Sequence, residues 1–188
     1  MPTPVGHSLF GLSMYMAVEK RPLSKVDVTG PLLYVVLVNL PDIDYTPILA
    51  YGFGAVKLYH QAYTHNLGFC FVAAVVVTGL TLLFKKEVRW PLFFLYFLLI
   101  YSHVILDALG ADGNPPFGVQ AFWPFSSAYF ISPLSIFIGA EKAQLRELFS
   151  VWNFYCILIE LGIFLPAFIF IYRSKRRQIA TNREQTTS

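Results

Sequence analysis

Residues Trp90 to Leu109 read Trp-Pro-Leu-Phe-Phe-Leu-Tyr-Phe-Leu-Leu-Ile-Tyr-Ser-His-Val-Ile-Leu-Asp-Ala-Leu. A helix needs about 20 mostly apolar residues to cross the hydrocarbon core of a bilayer. This stretch supplies them, and its single histidine and single acid, His103 and Asp107, both fall near one end. Polar groups inside a span are costly unless they are paired, bound to a metal or turned toward a wet cavity. The segment therefore makes two statements at once: the chain crosses a membrane, and something at the far end of this crossing compensates His103 and Asp107.

Two further segments have the same length and character, His65 to Phe84 and Val151 to Tyr172. Two shorter apolar runs precede them, Ser8 to Val18 and Val28 to Leu40. The expected fold is an all-α, polytopic membrane helical bundle with three full spans and two shorter N-terminal helices. Composition agrees: 56% of the 188 residues are hydrophobic, only 13% are charged, and the mean hydropathy is +0.56. An ordinary soluble domain carries roughly twice that charge. The length fits one embedded domain over residues 1–172. The remainder, 173–188, is polar and basic, and is expected to be a disordered cytoplasmic tail. Cys70 and Cys156 lie inside apolar runs and read as packing residues. No basic-aromatic stripe points to nucleic acid.

The cations give an orientation. Lys20, Arg21 and Lys25 lie between the short runs; Lys85, Lys86 and Arg89 lie between the first two long spans. Arg173, Lys175, Arg176, Arg177 and Arg183 follow the last span. By the positive-inside rule these face the cytoplasm. Lys57, Lys142 and Arg146 are left for the other side. An alternating path through five segments satisfies this, with connections 41–64 and 110–150 outside.

His7, His60, His65 and His103 then lie at or near the outer ends of their segments, as do Asp42, Asp44 and Asp107. Helical rise places His103 roughly 21 Å and Asp107 roughly 27 Å above Arg89, and Asp42 roughly 25 Å above Lys25. Glu160 lies roughly 20 Å from Arg173. All sit at one level, in the outer third of the core or at its edge. His103 and Asp107, at i and i+4, share a helical face and can bind one ion; a local His–Asp hydrogen bond is the plainer alternative. Pro41 stops a helix just before Asp42-Ile43-Asp44, which alone would read as a solvated turn. His60 and His65 stand five apart, off one face, with a turn able to aim both inward. Glu160 is an intramembrane acid and so a functional candidate, or a partner for a neighbouring helix. Phe122-Trp123-Pro124-Phe125 reads as an interfacial aromatic anchor.

Taken in order, an early His, Leu-Pro-Asp-x-Asp, His-x-x-x-Thr-His, His-x-x-x-Asp and Trp-Pro-Phe resemble the YdjM-like family of membrane-bound, metal-dependent hydrolases, described as LexA-binding and inner-membrane-associated. The resemblance runs from His7 to about Phe125. That family is distantly similar to zinc-dependent phospholipase C and the P1-type nucleases. It implies metal ligands at His7, His65, His103 and Asp107 and at one of Asp42 and Asp44, with Asp107 the candidate bridge; His60 is a further candidate from its own position. Two features depart from it. Gln61-Ala62 follow His60 where the family often has Arg-Gly, removing a phosphate clamp. No histidine follows His103, so one or two ions are expected rather than three.

The functional expectation is a membrane-embedded, metal-dependent hydrolase of the inner membrane, with its site near the outer face. Its cofactor would be a divalent cation, Zn²⁺ before Mn²⁺ or Fe²⁺, and its substrate a phosphoester or lipid-linked compound. Asp42 or Asp44, whichever is not a ligand, is the candidate general base. The alternatives are a non-catalytic metal-binding or ion-transport protein, and a structural protein whose polar residues only pack helices.

Overall fold

A computed structural model describes residues 1–19, 28–52, 61, 63–84, 90–113, 117–141 and 144–187. His60 and the cations Lys20, Arg21, Lys25, Lys57, Lys85, Lys86, Arg89 and Lys142 lie outside the described residues. The described chain is all-helical: α1 (Pro4–Val18), α2 (Thr29–Val38), α3 (Ile48–Tyr51), α4 (Leu67–Phe84), α5 (Trp90–Ala108) and α6 (Val151–Thr187). Tight 3-10 turns occupy Leu40–Tyr45 and Leu145–Phe149. Two isolated bridges, Gly110 with Phe137 and Val119 with Phe130, tie the connection between α5 and α6 without forming a strand.

Among the described residues three helices are long and apolar enough to cross a membrane: α4, α5 and the first part of α6 through Gln178. The two shorter N-terminal helices are α1 and α2. α4 buries only Cys70 and Ala74 and turns Phe71, Val72, Val75, Leu80 and Leu83 outward. That pattern suits a helix whose outer surroundings are hydrocarbon. α5 is the central element, burying Tyr96, Leu99, Ile100, His103, Val104 and Asp107 against α2 and α4. Both cysteines are buried and unbridged.

α6 does not end where its composition turns polar. It stays helical through Thr187, whereas a disordered tail was expected from residue 173. No Gly or Pro interrupts 173–187, and Arg, Lys, Gln and Glu are good helix formers, so a helix already nucleated by packing propagates into them. Pro166 sits within the helix and does not break it.

α1 packs most extensively on α6 and next on α2. The approach to α2 is close at Gly11, where an added Cβ would lie 2.9 Å from Val38 Cγ1 and 3.1 Å from the Tyr34 carbonyl. α6 holds both ends of α1. Glu160 accepts hydrogen bonds from Thr3 N (2.6 Å), Thr3 Oγ1 and Gly6 N (3.0 Å), the unpaired donors of a helix N-terminus. Lys175 donates to the carbonyls of Met16 and Glu19 at the other end. An acid at the start and a cation at the finish also complement the helix dipole. A Cβ at Gly6 would lie 2.7 Å from Glu160 Oε2, so the Glu160 carboxylate would have to shift to admit it.

Glu160 is 1% exposed, so Glu160→Ala strands buried donors at about 1–3 kcal/mol each. Thermal unfolding in detergent should show a lowered midpoint for Glu160→Ala, with part of the loss recovered in Glu160→Gln, which keeps an acceptor. Equal midpoints for wild type and Glu160→Ala would remove the clamp from the account of this fold.

Candidate metal centre

The end of α2, the turn after it, the approach to α4 and the end of α5 meet at one point. Pro41 stops α2 and starts the 3-10 turn, which swings Asp42 and Asp44 back under the bundle. Asn66 stands just before α4, where its Oδ1 accepts from Phe69 N (2.8 Å) while its Nδ2 donates to the Tyr63 carbonyl. The Phe122–Phe125 turn finishes that N-terminus: Leu67 N and Gly68 N donate to the carbonyls of Ala121 and Trp123 at 3.0 and 2.9 Å. His65 is thereby fixed two residues before the helix. His103 and Asp107 project from one face of α5, as their i, i+4 spacing requires.

Four atoms face one another there: His65 Nε2, His103 Nε2, Asp42 Oδ1 and Asp107 Oδ2. The two nitrogens are 3.2 Å apart. His65 Nε2 is 3.5 Å from Asp42 and 3.4 Å from Asp107; His103 Nε2 is 3.4 Å and 3.6 Å from the same two oxygens. A tetrahedral ion with ligands at about 2.0–2.1 Å spaces them about 3.3–3.4 Å apart. The five separations from the two nitrogens, 3.2 to 3.6 Å, are close to that figure.

The far sides of the imidazoles decide what these nitrogens carry. His103 Nδ1 lies 2.8 Å from the Val38 carbonyl, which can only accept, so the proton of a neutral ring is on Nδ1. His65 Nδ1 lies 3.1 Å from Asp44 Oδ2, with the same consequence. Asp44 is held in turn by Gln61 N and Thr64 Oγ1, both at 2.8 Å. Each neutral ring then directs the Nε2 lone pair inward, toward two carboxylate oxygens. His65, His103 and Asp107 are at most 2% exposed, so water does not relieve this concentration of lone pairs. A cation does. Asp42 is the most open of the four, with 19% of its side chain exposed.

His7 stands beside this quartet. Its ring stacks on His103 with centroids 3.8 Å apart, and its Nε2 lies 3.2 Å from Asp107 Oδ1, the oxygen that the quartet leaves over. Its Nδ1 is buried without a hydrogen-bond partner among the described residues. His7, His103 and Asp107 thus make a second group with ligand atoms within 4.8 Å of one another. A cavity of about 440 Å³ reaches His7, Asp42, Tyr45 and Asp107 from outside.

Of the residues singled out from sequence, His7, Asp42, Asp44, His65, His103 and Asp107 come together. Glu160 does not join them; it is occupied by the start of α1. The aromatic turn at 122–125 serves as the cap of α4 as well as an exposed apolar surface. Sequence reading missed Thr64 and the Val38 carbonyl, which set the imidazole tautomers. A Thr directly before His was visible, but a backbone carbonyl leaves no sequence signal.

Residues 1–180 match the family model of the YdjM inner membrane protein. The chain belongs to the YdjM family. The match takes in every residue of the quartet, together with His7, Asp44 and the first part of α6. Membership agrees with the membrane-spanning helices and places this YdjM protein with inner membrane proteins. No curated protein and no solved structure matches the chain.

Proposed function

We propose that this YdjM protein is a membrane-embedded, metal-dependent hydrolase acting on a phosphoester or lipid-linked substrate at the outer face of the inner membrane. One observation carries the reading: two imidazole Nε2 atoms 3.2 Å apart, each within 3.6 Å of two carboxylate oxygens, in a buried setting that favours positive charge. The donor set of two imidazoles and two carboxylates fits Zn²⁺ first and admits Mn²⁺ or Fe²⁺. His65, His103, Asp42 and Asp107 would hold the ion. Asp107, whose second oxygen faces His7, would bridge to a second one. When bound, the ion lowers the pKa of a coordinated water toward about 7 and polarises the substrate oxygen.

The chain's own residues divide the remaining work. Asp44 orients His65 through Nδ1, the outer-shell role that fixes tautomer and ring position. Its engagement with Gln61, Thr64 and His65 leaves it poorly placed as a base. Asp42 lines the cavity, and with Oδ1 in the quartet its other carboxylate oxygen, not the ligating one, would take a proton from the attacking water. The water oxygen bonds to phosphorus or carbonyl carbon, its proton passes to Asp42, and the bond to the leaving oxygen breaks with its electron pair. A proton then returns to that oxygen. Placing the cavity outside, and the basic end of α6 in the cytoplasm, follows from the distribution of Lys and Arg.

The count of four protein ligands favours a second reading, a non-catalytic metal-binding protein. Structural metal sites are closed, whereas catalytic ones keep a position open. The cavity at Asp42 and Asp107 supports the hydrolase instead.

Elemental analysis of detergent-purified protein should find about one or two divalent ions per chain, lost in His103→Ala and in Asp107→Ala. Asp44→Asn should retain the site with affinity reduced about 10–100-fold, measured by chelator competition. For activity, bis(p-nitrophenyl) phosphate and p-nitrophenyl esters should be hydrolysed by the wild type. Chelation should stop turnover, and Zn²⁺ should restore it. Stoichiometric metal without turnover of any such substrate would move the assignment to the second reading. Turnover indifferent to chelator and to His103→Ala would sink the hydrolase.

A further inference from the structure

The cavity that touches His7, Asp42 and Asp107 extends away from them between the start of α1 and the start of α6. There its wall is formed by Pro2, Val5, Leu148 and Ile157. Its volume of about 440 Å³ lies within the range of small-ligand sites. Thr3, Glu141 and Asn153 border the same stretch, so the arm is mainly apolar with a few polar groups at its edge. Val5 and Leu148 are 39% and 45% exposed. Beyond them Phe149, Val151 and Trp152 are exposed as well, at the head of a membrane-crossing helix. An apolar chain would therefore meet an apolar approach to the cavity along the head of α6.

The charge of the wall is one-sided. Asp42, Asp107 and Glu141 line it, and no Lys or Arg does so among the described residues. Against these carboxylates a phosphate monoester dianion would have only the bound ion to offset its charge, with no guanidinium or ammonium clamp among the described lining residues, so a scissile group of lower charge fits better. We infer that the α1–α6 arm of the cavity is a hydrocarbon-chain subsite. On this basis the substrate is an amphiphile whose scissile group bears at most one negative charge. The inference rests on the hydrolase reading above and adds the substrate class to it.

The test uses full-length protein in detergent and chromogenic pairs that differ only in chain length: methyl against octyl p-nitrophenyl phosphate, and p-nitrophenyl acetate against octanoate. p-Nitrophenyl phosphate is the dianionic comparison. The octyl member should exceed its short partner in kcat/KM by on the order of tenfold or more, and p-nitrophenyl phosphate should be the poorest substrate. Ile157→Trp fills the arm and Leu148→Asn makes its rim polar. Each should drive the long-to-short ratio toward one, and the shared micelle environment cancels from that comparison. Chelator-sensitive hydrolysis with no chain-length preference overturns the subsite and leaves the hydrolase standing. So does a preference untouched by both variants, or the monoester as best substrate. Absence of chelator-sensitive hydrolysis across the whole set overturns the hydrolase reading, and the subsite with it.

Discussion

Lone pairs pointed at one another inside a low-dielectric interior set the terms for this protein. His65 and His103 present Nε2 to the carboxylates of Asp42 and Asp107, at separations of 3.2 to 3.6 Å. Such a cluster is unfavourable by itself, because burial strips each group of the water that would otherwise solvate it. Pairing, protonation or a cation held in the middle would offset that cost. The arrangement around the cluster has that character. The Val38 carbonyl and Asp44 take the protons of the two rings on the outer side, so neither ring is left to rotate away.

Holding four groups at a point demands that their helices be held too. Each helix contributes through an end rather than a middle: α2 through the turn that follows it, α4 through the residue before its cap, α5 through its last turn. Helix ends carry unpaired backbone groups, and here those groups become fastenings. Glu160 and Lys175 pin α1 at both ends, which sets the height of His7 along α6. The Ala121 and Trp123 carbonyls seat the start of α4. The two acids in the bundle thus have separate duties despite similar depth. Asp107 faces other ligand atoms, while Glu160 is consumed by backbone donors.

Much of this was legible in the chain itself. The length and continuity of three apolar segments determined that the protein is a helical membrane bundle, because backbone in hydrocarbon has to satisfy its own hydrogen bonds and only a helix does that within one segment. The i, i+4 spacing of His103 and Asp107 determined a shared face, since helical periodicity is local. The rise per residue was enough to bring the histidines and Asp42, Asp44 and Asp107 to one level.

Level is not azimuth, however, and the tertiary structure alone decided which groups at that level meet. Depth follows from counting residues along one helix; direction around the axis depends on how helices pack against one another, which no single segment encodes. So Glu160, at a depth similar to His103, turned out to serve α1. Asp44 and Asp42, two residues apart, face different sides of His65. The Val38 carbonyl entered the site with no motif to announce it, and Thr64, visible in the Thr-His pair, gained its role only by meeting Asp44. The helix past Arg173 had a different cause: its residues are indifferent to order on their own, and the packed length of α6 ahead of them supplied the nucleus that isolated polar sequence lacks.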